Sequence, residues 1–436
     1  MRLTVAAWAA TRTVVLLCVF KVITLPGPDV TSDVSVIYQG WYEVLRTGVF
    51  PPGDVTWQYP PAAALAVLSP ALLPFLEYPA AFYVLACAAD ATAFALLLRA
   101  SRRAPEDGRH GGQDGGRRHG CAGVWVWVAG VPLLGPTVYA RYDLMVTAVA
   151  VAALLALPRR PRTAGALAAF GALLKVWPAL LLVGTPRGRV TRAVWGTALV
   201  TGAALTAVFT AAMPGALDFL THQRDRGTEV ESLGALVFHV ARHFGWEGRV
   251  LLNYGSVEFL GPYVDVVSTV ALVLSATAFG WLLWWRLRAV EWTASTSADA
   301  AFAAVLLFTV TSRVISPQYM VWLVGLAAVC AVLRTGRQGL PALLVVAASG
   351  VTLLEFPLNF GSVVASDALG ITLLVVRNGL LVAAAVLCCA RLWRTTVTEP
   401  RHRAAARTPV ARHGAGAGAG AATRPAPDGR RRASAR

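Results

Sequence analysis

Charged residues are scarce in this chain, and acidic residues are the scarcest. Of its 436 residues, 14% are Asp, Glu, Lys or Arg and 56% are hydrophobic. A soluble protein carries about 25% charged residues, so this composition excludes an ordinary water-exposed surface. Lysine is almost absent: it occurs only as Lys21 and Lys175, and the other basic residues are arginine or histidine. A lysine inside an apolar stretch is therefore a candidate functional residue.

Cysteine is also sparse, and its pattern excludes a disulfide framework. The chain has six cysteines, all in or beside apolar stretches: Cys18, Cys87, Cys121, Cys330, Cys388 and Cys389. None has the spacing of metal ligands, and His222 with Glu229 and Glu231 fits no zinc pattern either. We interpret the cysteines as helix-packing residues, and the sequence predicts no metal and no cofactor.

The apolar runs lack the two-residue alternation of a membrane β-barrel strand. They are long, recur from end to end, and are bounded by arginine or by proline and glycine. About 20 apolar residues cross a hydrocarbon core as a helix, and helices satisfy their own backbone in lipid. The sequence therefore predicts an all-α integral membrane protein, a polytopic bundle of about 10–12 crossings with short or broken helices.

The first apolar run, Val14–Leu25, follows Arg2 and Arg12. No small-residue cleavage site comes after it, so we interpret it as a retained first span and not a signal peptide. We expect the side chain of Arg12 to extend to the cytoplasmic boundary, as arginines near helix ends do.

The net charge of +16 is concentrated in short loops and in the tail. This pattern is typical of cytoplasmic loops and argues against a nucleic-acid partner. It predicts a transmembrane domain over 1–390 with a basic cytoplasmic loop at about 99–120, and external loops at about 26–60 and 214–262. Residues 391–436, rich in Ala, Gly, Pro and Arg, are expected to be a disordered basic cytoplasmic tail.

Two apolar runs are interrupted where a full crossing is expected. The run between the basic turns 158–162 and 187–192 breaks at Lys175–Pro178, and the run 301–333 breaks at Ser312–Tyr319. A single crossing in the first run would place one basic turn outside, whereas a broken hairpin keeps both inside. Irregular backbone at membrane depth is tolerated only beside protein or water, so both breaks indicate a polar cavity.

The first external loop carries an acidic residue just beyond a span, followed by an aromatic-rich helix. Asp33 precedes Val34–Leu45, which places a carboxylate at the boundary between lipid and water. Ser32-Asp33 also fits a helix N-cap, so the bare spacing leaves both a catalytic and a capping role open.

Several motifs in this order resemble glycosyltransferase family 87, polyprenyl-phosphate-mannose-dependent α-mannosyltransferases of GT-C fold that include actinobacterial members. The resemblance covers about residues 12–390. Its motifs are Asp33 with Tyr38, Gly48-Val-Phe-Pro51, Tyr59-Pro-Pro61, Lys175-Val-Trp-Pro178, His222 to Ser232, Ser316-Pro-Gln-Tyr-Met-Val-Trp322 and Arg377-Asn378. The chain departs from the family at Arg141-Tyr142-Asp143, where Gly-Gln-x-Asn is common.

The resemblance implies an inverting hexosyltransferase in the cell inner (plasma) membrane, with its active site on the extracytoplasmic face. The expected partners are a polyprenyl-phosphate sugar donor, a glycan or glycolipid acceptor, and the bilayer. Asp33 is implied as the general base, with Asp29 as the substitute. The residues expected to bind the donor phosphate or sugar are Lys175, His222, Arg226, Arg313, Gln318 and Tyr59.

Other interpretations of these residues stay open from the sequence alone. Lys175 also fits a buried ion pair with Asp143, Arg226 a solvated loop charge, and Arg377 a pair with Glu355. A transporter or flippase of a lipid-linked sugar would use the same broken helices without needing a carboxylate in the first loop. A purely structural membrane subunit is a third alternative, disfavoured by intramembrane cations.

Overall fold

The computed structural model of the chain describes residues 1–103, 121–220, 227–293, 295–333 and 337–400. His222 and Arg226 lie outside the described residues, as do most of the predicted 99–120 loop and the tail beyond residue 400.

Six helices in the described part are long and apolar enough to cross a membrane. They are α1 (Arg2–Val19), α4 (Tyr78–Arg103), α8 (Arg189–Ala212), α10 (Val264–Arg288), α13 (Gly339–Leu353, continued by a π-turn Leu354–Leu358) and α15 (Ala368–Trp393, continued by a π-turn Arg394–Thr398). Most of α8 and α10 is exposed on the outside of the bundle. The predicted all-α polytopic membrane fold is confirmed.

Shorter apolar segments fill the space between the long helices. These are α3 (Ala63–Leu68, then a 3-10 turn Ser69–Leu72), α5 (Ala122–Gly130, then 3-10 Pro132–Val138), α6 (Asp143–Ala156), α7 (Pro161–Leu174, then 3-10 Trp177–Gly184), α11 (Thr296–Thr311) and α12 (Tyr319–Val332). Helices of 14–16 residues reach ~21–24 Å, less than the ~30 Å of hydrocarbon. Each of them is therefore too short to cross the hydrocarbon by itself.

Both predicted helix breaks are present. Helix α7 ends at Leu174, Lys175 takes an extended backbone, and the chain returns as a 3-10 segment through Pro178. Helix α11 ends at Thr311 with Ser312 extended, and α12 begins at Tyr319. Pro178 stands in the first turn of the segment that follows the first break, and Pro317 lies two residues before α12. A proline is tolerated at the start of a helix because the first amides there have no intrahelical acceptor.

The expectation for Arg12 is wrong. Its side chain is buried inside the bundle and pairs with Asp90 of α4 at 2.7 Å. The guanidinium also donates to the carbonyls of Val128 (2.9 Å) and Trp127 (3.1 Å). Trp127 Nε1 and the hydroxyl of Tyr139 donate to the two oxygens of Asp90, at 2.6 and 2.8 Å. A complete set of partners removes the need to reach water.

The first loop is mostly helical. A π-turn Asp33–Tyr38 leads into α2 (Gln39–Leu45), in agreement with the predicted helix over Val34–Leu45. Trp41 donates through Nε1 to Asp54 at 2.8 Å and packs edge-on against Trp57. The loop is thereby folded onto itself and onto the bundle.

The second loop contains a small sheet that was not predicted from the sequence. Strands β1 (Thr228–Glu229), β2 (Arg249–Asn253) and β3 (Ser256–Leu260) pair antiparallel in the order β1-β3-β2. Tyr254 and Gly255, both with positive φ, form the two-residue turn between β2 and β3. The same loop contains helix α9 (Ala235–Ala241) with a 3-10 turn Arg242–Phe244, and a 3-10 turn Asp218–Leu220 precedes the sheet. Helix α14 (Phe360–Ala365) completes the fold.

Candidate active site

Asp33 lies at the start of the first-loop helix and faces the bundle. Its carboxylate forms an ion pair with Arg141, which sits between the 3-10 segment Pro132–Val138 and α6. Arg141 also donates to the carbonyl of Ala140 at 2.9 Å and to that of Val30 at 3.4 Å. The side chain of Asp33 keeps 28% of its surface exposed, enough for a substrate hydroxyl to approach it.

The alternative that Asp33 caps this helix is not what the structure shows. The helix begins at Asp33 itself, its N-cap residue is Ser32, and no side chain makes a capping hydrogen bond. Asp33 is therefore held by an ion pair with a distant part of the chain and not by the local turn.

Asp29 is placed differently. Its carboxylate accepts from Lys21 Nζ at 2.8 Å and from the amide and hydroxyl of Thr31 at 2.9 and 2.6 Å. Partial burial raises the pKa of Asp29, but the contacts with Lys21 and Thr31 outweigh it and the pKa is lowered. These contacts are those of a residue that shapes its own turn.

Lys175, which the sequence assigned to donor binding, lies beside Asp143. Lys175 Nζ lies 2.7 Å from Asp143 Oδ1, so the ion-pair alternative for Lys175 is present in the structure. Trp322 Nε1 donates to the same oxygen at 2.7 Å. Three separate helix ends, those of α6, α7 and α12, thus converge on one carboxylate.

Aromatic rings surround the Lys175 ammonium. The Nζ atom lies 5.2–5.6 Å from the ring centroids of Tyr59, Tyr142, Tyr319 and Trp322. Ring faces attract a cation at this distance, and the attraction grows where water is excluded. The lysine therefore sits in an aromatic recess at the end of α7.

The two ion pairs belong to one site because tyrosines connect them. Tyr142 lies between Arg141 and Asp143 in sequence, and its ring contacts Tyr38 at 6.0 Å and Tyr59 at 5.3 Å between centroids. Tyr38 is buried, and burial with the nearby Tyr59 raises the pKa of its phenol well above the usual value despite the opposing charge of Arg141. Tyr38 stays a neutral hydroxyl in this site.

The other residues expected from the sequence are more scattered. Gln318 is the half-buried N-cap residue of α12, directly before Tyr319. Arg313 is half-buried in the break before α12, where its carbonyl accepts from the amide of Glu229 at 3.0 Å. The structure thus brings Asp33, Tyr59 and Lys175 into one cluster with Gln318 at its edge.

Arg141 and Asp143 are the site residues that sequence reasoning left without a role. The signal for them was present: both are charged residues at the start of an apolar helix, and both coincide with the departure from the family motif. The pair of Lys175 with Asp143 was one of the alternatives open from the sequence, whereas Asp33 is too distant in the chain from Arg141 for spacing to reveal that pair.

A second buried cluster fixes the second loop to the bundle. Arg377 of α15 lies 3.1 Å from Glu355 and 3.6 Å from Glu231, and also donates to the carbonyl of Glu231. Asn378 donates to that same carbonyl at 3.3 Å. Burial and the neighbouring carboxylate of Glu355 raise the pKa of Glu231 well above its usual value. The predicted alternative that Arg377 pairs with Glu355 is therefore present.

Within the described residues, no group of three His, Cys, Asp or Glu side chains could hold a metal ion.

The sequence matches the model of one known protein family. The family model for glycosyltransferase family 87 matches residues 57–317, more than half of the chain, and includes Tyr59, Arg141, Asp143 and Lys175. Asp33 precedes the matched region. No curated protein and no solved structure matches the chain. The family match and the all-α polytopic fold agree, and the chain belongs to glycosyltransferase family 87.

Proposed function

We propose that this protein transfers a hexosyl unit, mannose in the first instance, from a polyprenyl phosphate to a glycan or glycolipid on the extracytoplasmic face of the inner membrane. The observation that carries the proposal is the single cluster in which a partly exposed carboxylate, Asp33, lies beside the aromatic recess of Lys175. As a member of family 87 the chain already requires a sugar donor and an acceptor.

The chemistry needs one general base. An acceptor hydroxyl attacks the anomeric carbon, its proton passes to the Asp33 carboxylate, and the bond from that carbon to the phosphate oxygen breaks with its electron pair going to the phosphate. Phosphate is a weak base and leaves without a general acid. Attack opposite the leaving group inverts the anomeric centre. A single carboxylate suffices, in contrast to the two carboxyl groups of glycosidases.

The donor fits the depth and lining of the recess. A polyprenyl chain stays in the bilayer, so its phosphate lies near the ends of helices that are too short to cross it. Lys175 supplies a cation there, and Tyr59 with the neighbouring rings offers faces for a sugar. Arg313 and Gln318 lie on the break before α12, and we assign them and the undescribed His222 and Arg226 to donor binding as secondary candidates.

The direct test is transfer by membranes. Membranes from cells with and without the gene are incubated with radiolabelled polyprenyl-phosphate mannose, and the expected result is a labelled glycan or glycolipid that depends on the gene. Label that crosses the membrane while staying on the polyprenyl carrier would instead identify a flippase. Transfer from the arabinosyl donor alone would correct the sugar and keep the reaction.

The Lys175→Met variant is expected to raise the KM for the lipid donor by about tenfold or more, with the acceptor KM unchanged. A hydrogen bond to a charged group contributes about 1.5–3 kcal/mol, which corresponds to ~10–100-fold in affinity. Steady-state kinetics with each substrate varied in turn gives both constants.

A double variant separates donor binding from simple charge balance, since Lys175 pairs with Asp143. In Lys175→Met/Asp143→Asn no buried carboxylate is left without a counter-ion. We expect this double variant to fold stably and to remain defective in donor KM. Recovery of the normal donor KM would show that the ammonium serves only to neutralise Asp143.

The proposed orientation is tested by cysteine labelling in a background in which the six native cysteines are replaced. Pro158, in the basic turn between α6 and α7, and Glu247, in the second loop, are both exposed. A cysteine at Glu247 is expected to react with a membrane-impermeant maleimide in intact spheroplasts, and one at Pro158 only after permeabilisation. The reverse pattern would place the active site in the cytoplasm.

A further inference from the structure

A second recess lies at the opposite end of α7 from Lys175. It is bounded by the first turns of α7 and α8, has a volume of about 520 Å³, and is lined by Arg159, Arg160, Arg162 and Arg189 together with apolar atoms. A neighbouring recess of about 430 Å³ shares Arg162 and Arg189 and adds Arg192. We call the two together the arginine groove. With α7 at 14 residues, the groove is ~20 Å from the candidate active site.

No carboxylate among the described residues balances the charge of the groove. Its five arginines are exposed, and in the described part of the chain none forms an ion pair with a carboxylate. Other arginines near helix ends form hydrogen bonds or ion pairs within the protein. Arg286 donates to the carbonyls of Val183 and Thr185 at 2.6 and 2.8 Å, and Arg337 pairs with Glu399 at 2.8 Å. The groove therefore presents guanidinium groups outward, a geometry suited to the oxygens of a phosphate.

The walls of the groove continue into the lipid-facing surface. Helices α7 and α8 pack closely, since a side chain at Gly165 would overlap the carbonyl of Val194. Ala193 and Gly196 of α8 form the apolar floor. Farther along the same helix, Leu199 and Val200 are exposed on the outside of the bundle. A molecule seated in the groove thus meets positive charge at one end and a membrane-spanning apolar surface at the other.

The helix ends add to the positive potential. Helix α7 begins at Pro161 and α8 at Arg189, so the amino-terminal ends of two helices longer than three turns border the groove. The first amides of a helix lack intrahelical acceptors and carry partial positive charge. These partial charges add to the larger positive potential of the five arginine side chains.

We infer that the arginine groove binds the phosphate headgroup of an anionic phospholipid, whose acyl chains lie along the exposed face of α8. Basic recesses between membrane helices are suited to such headgroups. The inference concerns a lipid of the surrounding bilayer at a place remote from the active site, and it holds whichever sugar the enzyme transfers.

The test uses the full-length protein purified in a neutral detergent and titrated with phosphatidylglycerol or phosphatidylcholine, with bound lipid counted by native mass spectrometry. We expect saturable binding of phosphatidylglycerol and none of phosphatidylcholine at the same concentrations. Inorganic phosphate at millimolar concentration should not displace the lipid, because it cannot make the acyl-chain contacts. Equal binding of the two lipids, or full displacement by phosphate, would overturn the proposal.

A charge-matched pair of variants locates the binding. Arg162→Gln/Arg189→Gln removes the two arginines common to both recesses and is expected to weaken phosphatidylglycerol binding about tenfold or more. Arg102→Gln/Arg103→Gln removes the same charge from the exposed last turn of α4 and should leave binding unchanged. Equal loss in the two variants would mean that net charge, and not the groove, attracts the lipid. The comparison of lipids on the wild-type protein decides the question if the first variant does not fold.

Discussion

Asp33→Asn is expected to lower turnover by ~10²-fold or more, the usual contribution of a general base. Asparagine keeps the size of aspartate but cannot accept the proton of the acceptor hydroxyl. The carboxylate is partly exposed and ion-paired with Arg141, so the substitution should leave expression and donor binding near normal. The measurement is the rate of sugar transfer at saturating donor, with protein amount normalised by immunoblot.

Asp29→Asn is the matched control, since it also removes a carboxylate from an ion pair in the first loop, in that case with Lys21. It should retain most activity, because the contacts of Asp29 shape a turn. Transfer by Asp33→Asn at close to the wild-type rate would mean that the base lies elsewhere. Loss of activity in Asp29→Asn alone would make Asp29 the base.

Asp90→Asn is expected to destabilise the protein by about 3–5 kcal/mol, the cost of leaving a buried charge without its counter-ion. Arg12 and Asp90 are both buried, and Trp127 and Tyr139 depend on the same carboxylate. The readout is a lowered Tm of the purified protein in detergent, together with reduced yield from membranes.

Glu43→Gln is the control for this substitution. It removes the partner of Arg46 from an ion pair in which both side chains are more than half exposed, and such pairs contribute little. Its Tm should match the wild type. An unchanged Tm in Asp90→Asn would indicate that Arg12 reaches water after all, as the sequence had suggested.

The fold was predictable where the structure of a segment depends only on the sequence of that segment. Long apolar runs give spans because lipid leaves the backbone no other partners. Pro178 and Pro317 indicated the two breaks, and Lys175 marked one of them as polar. Local backbone preference and hydropathy are sufficient for such features.

Two charge pairs could be anticipated from the sequence, Lys175 with Asp143 and Arg377 with Glu355, but others could not. Arg12 was expected at the membrane boundary because its position near a span end is visible in the sequence, whereas its partner on α4 is not. Arg141 likewise meets Asp33 only after the four intervening helices, α2 to α5, have folded. The β2–β3 hairpin was also missed, because its strands have five residues each and, within the described residues, pair only with each other and with the two residues of β1.

The short central helices also make the middle of this protein a thinner barrier than the bilayer around it. Helix α12, buried along nearly its whole length, carries no charged residue. Its Gly325 lies so close to Thr147 of α6 that a side chain there would overlap the threonine methyl group. Trp322, whose ring contacts Lys175, stacks on Trp177. Dense packing along this uncharged helix, over ~21 Å, leaves little room beside it for water that could carry protons across the membrane.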